Sequence, residues 1–329
     1  MTPGEQAHIP LDEPRPRGEQ SSLRRKVQSS ARPGRDPGQR SIAQELEGLL
    51  APRGPRRPLT NSPSRAVPRG EGDIELLTIF EPTTHLDDLV FAPDVRTRLE
   101  SIVREHAARE FLGAFGVSPR RRLLFVGPSG TGKSQTAQAL AAAVGVPVAR
   151  IRLGSIVSSY LGETARQLDR VLDYAVLGNW VLVIDEIDML ASERTQTDHG
   201  EMRRVVAAFL QALEDSHSTN LLVATTNLGP RLDQALWRRF DEVVVFKEPS
   251  RDEIQELVRL KLRRLKSRWN KAEVARHLSG MSHAEIEQVC QDAMRTVIMD
   301  GSLEVTTHTL IRCAESRRAR SLEAGKYFA

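Results

Sequence analysis

The sequence is poor in the features that tie a chain together covalently or hold it in a membrane. Two cysteines, Cys290 and Cys313, in 329 residues are too few for a disulfide scaffold, and the expected compartment is a reducing cytoplasm. No apolar run approaches the ~18 residues needed to cross a bilayer, and no secretory leader opens the chain, so a soluble protein with no membrane partner is expected. Aromatics are 5% of residues, and none is interleaved with the basic runs of the N-terminal segment to stack on nucleic-acid bases. No internal repeat is present, which excludes solenoids and propellers.

The net charge is also small, +4, but it is unevenly placed. Residues 1–72 carry 13 Lys/Arg against 8 Asp/Glu, leaving 34 against 35 for the rest. The same segment holds 11 of the 18 prolines and 8 of the 22 glycines. With almost no apolar periodicity it cannot bury enough surface to offset its chain entropy, so residues 1–72 are expected to be a disordered Pro/Gly/Arg-rich tail. Arg24-Arg25-Lys26 and Arg53-Gly54-Pro55-Arg56-Arg57 leave nucleic acid or an acidic surface open as partners, beside a merely solvated linker. Within the tail, Ser41 to Leu50 alone has helical spacing.

From Asp73 the pattern becomes globular. Residues 73–115 form a lead-in with a helix expected from about Asp94 to Leu112, striped by Val95, Leu99, Ile102 and Val103. Residues 116–248 alternate strand and helix. Strands are expected at Arg122–Val126, Val148–Leu153, Trp180–Ile184, Leu221–Thr225 and Glu242–Phe246. Helices are expected at Ser134–Val144, at Thr164–Val176 and from about Glu201. Continuous apolar strands separated by helices imply an α/β fold, a five-stranded parallel sheet covered on both faces. Residues 249–315 read as a small all-helical domain, with capping boxes Ser250–Glu253 and Ser282–Glu285 opening two of its helices. Residues 316–329 form a C-terminal tail too short to assign.

The chemistry centres on Gly127-Pro128-Ser129-Gly130-Thr131-Gly132-Lys133-Ser134, directly after Leu123-Leu124-Phe125-Val126. This is G-x-x-x-x-G-K-[ST] in a strand–turn–helix context, a phosphate cradle. Backbone N–H groups and a helix N-terminus face an anion, Lys133 reaches the β- and γ-phosphates, and the Ser134 hydroxyl can ligate Mg²⁺. The cradle by itself points to a nucleoside triphosphate with Mg²⁺; ATP as that triphosphate is implied by the family resemblance given below. Val181-Leu182-Val183-Ile184 then runs into Asp185-Glu186, which lifts two carboxylates to the edge of the sheet beside the cradle. Asp185 can hold the Mg²⁺ hydration shell and Glu186 can polarise an attacking water. Asp188 reads as structural.

These two motifs, together with the segments C-terminal to them, resemble the classical AAA branch of the AAA+ ATPases over residues 86–315, and in particular small stand-alone bacterial AAA ATPases. The resemblance implies a P-loop NTPase sheet followed by a helical lid, ATP hydrolysis, and assembly into a homo-oligomeric ring, taken as a hexamer. It implies that Asn227, closing Leu221 to Thr226, positions the attacking water. It also implies that Leu232 to Asp241 carries an arginine finger, Arg238 or Arg239, for a neighbouring subunit's phosphates; Arg-Arg before Phe is similar to microtubule-severing and ESCRT-disassembling members. Tyr160-Leu161-Gly162 resembles a pore loop that grips a protein substrate, and Glu193 to Gly200 falls where a second pore loop would. Ala284, in Gly280 to Glu285, is implied near the adenine, with His283 at a position where the branch usually has Gly; by itself His283 reads as a cap neighbour. A separately encoded effector is a further implied partner. A nucleic-acid loader using the basic tail, and a regulatory scaffold set by ATP binding, stay open as alternatives to a protein-remodelling ring.

Overall fold

The computed structural model describes residues 66–70, 73–156, 161–188, 211, 220–227 and 237–327, all within one compact unit spanning Pro63–Ala329. Expectations for residues 1–65, for Tyr160, for Glu193 to Gly200, for most of the helix from Glu201 and for Leu232 to Leu236 lie outside the described residues.

The five expected parallel strands are β2 (Arg122–Val126), β3 (Val148–Ile151), β4 (Val181–Ile184), β5 (Leu221–Thr226) and β6 (Glu242–Val245). They stand in the order β3-β4-β5-β2-β6, and every neighbouring pair among them is parallel. A sixth strand, β1 (Leu77–Phe80), extends the sheet. It runs antiparallel to β3, pairing Leu77 with Ile151 and Phe80 with Val148. The apolar stretch in the lead-in thus completes the sheet edge beside β3.

Alternation along each strand sorts side chains between two covered faces. Leu123, Phe125, Val181, Val183, Leu221 and Val223 bury against α1 (Pro93–Ala107) and α3 (Lys133–Val144), whose Val95, Leu99, Ile102, Val103, Ala137 and Leu140 belong to the same cluster. Leu124, Val126, Leu182, Ile184, Leu222 and Ala224 turn the other way. There they meet the short helix α4 (Leu153–Ile156) and α5 (Leu161–Ala175) through Leu153, Ile156, Leu168 and Val171. Trp180, fully buried on this face, stacks on Tyr174 with ring centroids 5.4 Å apart.

Between α1 and β2 the expected single helix is two, because Ala108 (φ −100°, ψ 16°) leaves helical geometry and α2 (Arg109–Ala114) starts anew. After Pro249 come α6 (Arg251–Lys261), α7 (Lys271–Leu278), α8 (His283–Met299) and α9 (Thr307–Tyr327). Both predicted capping boxes form, Ser250 with Glu253 and Ser282 with Glu285. Between these helices lies a short parallel pair, β7 (Lys266–Arg268) with β8 (Glu304–Thr306), so this region is not wholly helical. Helix α9 carries the C-terminal stretch on to Tyr327, anchored by buried Leu310, Cys313 and Ala314. Cys290 is fully buried in the same cluster, and burial pushes its thiol up to about 12; it behaves as a core residue. Among the described residues no helix is long and apolar enough to cross a membrane.

Candidate nucleotide site

Parallel strands end on the same side of a sheet, so the register decides what meets there. Val126 pairs with Thr226 and Ile184 with Ala224. The residues just past these strands, Gly127, Asp185 and Asn227, therefore emerge together. Gly127 must be glycine: an added Cβ would fall 2.2 Å from the Phe246 carbonyl oxygen. Gly130 and Gly132 take left-handed φ of +77° and +92°, and Gly132 is the N-cap of α3. The loop thereby opens its backbone amides and a helix N-terminus toward the cleft, an arrangement suited to an anion.

Lys133 is 7% exposed. Its Nζ donates to Gly127 O, Pro128 O and Asn227 Oδ1, each at 2.8 Å. Burial holds the ammonium below the usual lysine range, opposed by the charges of Asp188, Glu186 and Asp185. The cation is thus stationed inside the loop, tied to the strand end that carries Asn227.

Ser134 Oγ donates to Asp185 Oδ1 at 2.7 Å, and Thr225 Oγ1 donates to the same oxygen at 3.3 Å. Arg150, on the adjacent strand β3, places Nε 3.3 Å from Asp185 Oδ2 as an ion pair without hydrogen-bond geometry, its guanidinium lying over the Phe80 ring at 5.2 Å. A hydroxyl and a carboxylate side by side at a phosphate loop are hard oxygen donors of the kind Mg²⁺ takes when phosphates fill the rest of its shell. Glu186 sits at φ +54°, a left-handed conformation that costs a non-glycine residue about 1–3 kcal/mol. Its N–H donates to Thr225 Oγ1 at 2.9 Å and its exposed side chain faces the cleft. Asp188 Oδ1 accepts from the Asn227 N–H at 3.4 Å, a supporting role for that acid.

The cleft holds about 240 Å³. It is lined by Ser129–Thr136, Glu186, Thr225 and Asn227 at one end, and by Leu89–Phe91, Leu257, Lys261, His283, Ala284 and Glu287 toward the helices after Pro249. Those helices touch the loop directly: the Ala284 N–H donates to Gly130 O at 2.9 Å, and a Cβ on Gly130 would stand 2.7 Å from Ser282 Oγ.

The structure brings Ser129 to Ser134, Glu186, Asn227 and Ala284 to one cleft, with Gly127 and Pro128 bonded to Lys133 and Asp185 bonded to Ser134. Arg238 and Arg239 are elsewhere. Their turn precedes β6, whose Glu242 pairs with Leu123 at the start of β2, so they leave the sheet at the edge opposite Gly127. Asp241 pins this turn, accepting from the Arg121 and Arg122 N–H groups and pairing with the Arg122 guanidinium at 2.6 Å. Phe240 is buried in the core. Arg239 donates to Gln211 and Arg238 is exposed. Tyr160 lies outside the described residues, while Leu161 and Gly162 open helix α5.

Nothing in the sequence alone singles out Thr225, Arg150, Lys261 or Glu287. Thr225 was within reach, as a hydroxyl ending a buried strand beside Asp185. The other three depend on contacts between segments far apart in sequence.

The chain is similar to known proteins. The model of the AAA family (ATPase family associated with various cellular activities) matches residues 123–248. The uncharacterized AAA family ATPase y4kL of Sinorhizobium fredii is 34% identical over 287 residues, 85% of this chain and 86% of that one. The proteasome-activating nucleotidase of Methanococcus vannielii is 30% identical over 207 residues, 60% of this chain; the match spans about half, 51%, of the nucleotidase. In fold, the crystal structure of the FIGL-1 AAA domain superposes with a TM-score of 0.59 at 20% identity, covering 74% of this chain and 86% of that one. A phosphate loop, a strand-end acid pair and a polar strand end converging on one cleft, with similarity to y4kL along most of both chains, lead to one assignment: the chain belongs to the AAA family of ATPases.

Proposed function

We propose that this ATPase works as a homo-oligomeric ring, a hexamer, in which each site is completed by the neighbouring subunit, and that the cycle is spent on remodelling a protein substrate. The observation that carries the ring is the separation of Arg238 and Arg239 from the cleft. From Glu242 to Val245, β6 runs three residue steps, roughly 10 Å, and the arginine turn begins beyond its far end. A guanidinium there cannot reach its own Gly127–Ser134 loop, and its position at the outer edge supports a role on another subunit's phosphates.

Within the site, Gly127 to Gly132 present backbone amides to the phosphates, and Lys133 transfers its donors from the loop carbonyls to the β- and γ-oxygens. Ser134 and Asp185 would hold Mg²⁺, which supplies charge neutralisation on the phosphate oxygens. Glu186 accepts the proton of the attacking water, and Asn227, fixed through Lys133 and Asp188, orients that water. Arg238 or Arg239 of the next subunit offsets the charge on the transferring phosphoryl group. Ala284 lines the nucleoside end. A protein substrate is supported by the similarity to a proteasome-activating nucleotidase; Tyr160, Leu161 and Gly162 are the residues proposed to grip it. A separately encoded effector fits the same reading.

Complementation tests the shared site. Glu186→Gln alone and the Arg238→Ala/Arg239→Ala double variant alone should each hydrolyse ATP about 100-fold or more slowly. Mixed, they form interfaces where an intact Glu186 meets intact arginines, and steady-state hydrolysis should rise well above both. A mixture that stays at the level of its components shows that the arginines do not act across an interface.

A further inference from the structure

The turn that carries Arg238 and Arg239 is anchored on both sides. Trp237 before it packs against the core cluster on the α4 and α5 face of the sheet, and Phe240 after it is buried in the same cluster. The Phe240 N–H closes the turn on Trp237 O at 3.2 Å. The two residues that follow are acids, and each meets arginines of the segment that opens β2. Asp241 Oδ2 accepts from the Arg121 and Arg122 N–H groups at 2.9 and 3.0 Å, while Oδ1 accepts from Nε and Nη2 of Arg122 at 3.2 and 2.6 Å. The Asp241 N–H returns a bond to Arg122 O at 2.8 Å. Glu242 accepts from Arg120, and from Arg98 of α1 at 2.6 Å. Arg120 is held from behind by Glu105 and Ser101 of α1, at 3.0 and 2.9 Å.

The side chains of Arg120, Arg122, Asp241 and Glu242 are between 14% and 28% exposed, so these pairs are largely withdrawn from water. Ion pairs in that setting contribute little net stability, because desolvation offsets the attraction. What a forked guanidinium on a carboxylate does supply is one fixed geometry. Burial alone would raise the Asp241 carboxyl, yet these bonds hold it below its ordinary 3.8. The acid therefore keeps its charge at neutral pH.

We infer that Arg122, with Arg120 beside it, is a positioning residue for hydrolysis in the neighbouring subunit: through Asp241 and Glu242 it fixes where the Arg238–Arg239 turn projects from the edge of the sheet. The inference rests on the proposed action of those arginines across an interface. Strand β2 then serves two sites. Its Val126 end leads into the phosphate loop of its own subunit, and four residue steps back, roughly 13 Å, Arg122 seats the turn that acts on the next subunit's phosphates. Misplacement by about 1 Å near a reacting group costs up to about 100-fold in rate, which is why the seat is rigid.

Arg122→Met removes the guanidinium and leaves Asp241 Oδ2 on its two backbone N–H groups. Its kcat for ATP hydrolysis should fall about 10- to 100-fold. Calorimetric titration should show ATP affinity within about 2-fold of wild type, since the lost interaction acts on the transition state. Arg122→Lys, which keeps the charge, should recover part of the rate, and Asp241→Asn, which removes the charge from the other side of the pair, should behave like Arg122→Met. The deciding measurement mixes Arg122→Met with Glu186→Gln. At interfaces where the intact Glu186 of one variant meets the undisturbed arginine turn of the other, the site is complete, and hydrolysis should rise well above both components. An arginine that only stabilises its own subunit or its own phosphate loop gives no such rise. Absence of the rise, or a wild-type rate for Arg122→Met alone, overturns the inference. Failure of the underlying reading looks different: the mixture of Glu186→Gln with Arg238→Ala/Arg239→Ala would then not recover either, and the positioning role falls with it. Recovery in that mixture without recovery in the Arg122→Met mixture removes the positioning role alone.

Discussion

Replacing Lys133 with methionine keeps the side chain's length and removes its charge, and the structure says what this does before any nucleotide is added. Three acceptors, Gly127 O, Pro128 O and Asn227 Oδ1, lose a donor at 2.8 Å. Hydrogen bonds to a charged group contribute about 1.5–3 kcal/mol each in favourable cases. Much of that is offset here by the cost of holding an ammonium out of water, a cost visible in the depressed lysine pKa. The remainder is the penalty for acceptors left unpaired, roughly 1–3 kcal/mol in all. The ligand-free variant should therefore denature at lower urea concentration than wild type, with an unchanged slope because the surface exposed on unfolding is the same. Calorimetric titration of the same protein should show ATP affinity down at least about 100-fold, since the donors that would meet the β- and γ-oxygens are gone. A denaturation midpoint equal to wild type would refute the picture of a lysine tied to its own loop. A normal ATP affinity would refute the phosphate assignment.

A paired glycine comparison isolates the contact between the loop and α8. Gly130→Ala and Gly145→Ala both impose a side chain on left-handed backbone, at φ +77° and +80°, but the new Cβ at 145 meets nothing within 4 Å while the one at 130 meets Ser282 Oγ at 2.7 Å. Thermal denaturation should show both destabilised by about 1 kcal/mol or more, and nucleotide titration should show a loss for Gly130→Ala alone; equal effects on binding would mean the contact is unimportant. At the opposite edge of the sheet, the Arg120 hydrogen bond holds Glu105 below its ordinary 4.5, against the upward push of burial. That stability is present above the unfolded-state value and is lost as pH falls through the lower folded-state one. Glu105→Gln should flatten the acid limb of a stability-against-pH curve below about pH 4.5, and an unchanged limb would place the titrating group elsewhere.

The legible parts of the sequence were those written in local signals. Val181 to Ile184 is apolar without interruption because both faces of β4 are covered, so strand and acid pair could be read together. Ser250 and Ser282 announced their helices because a capping box needs residues only three apart. The antiparallel pairing of β1 was hidden, since nothing in Leu77 to Phe80 names a partner some seventy residues on. Lys266 to Arg268 gave no strand signal because all three residues are exposed. In the site, Gly127 to Ser134 was legible because one segment supplies the whole cradle. The Arg150–Asp185 pair was not, because it arises only when β3 is laid beside β4.

The bond from the Ala284 amide to the Gly130 carbonyl gives the molecule a stiff joint. One side of it is the phosphate loop and the other the first turn of a 17-residue helix. Because α8 shares a core with Ile254, Val274 and Leu310, whatever strain the loop takes up through this bond is borne by all the helices after Pro249 and not by α8 alone.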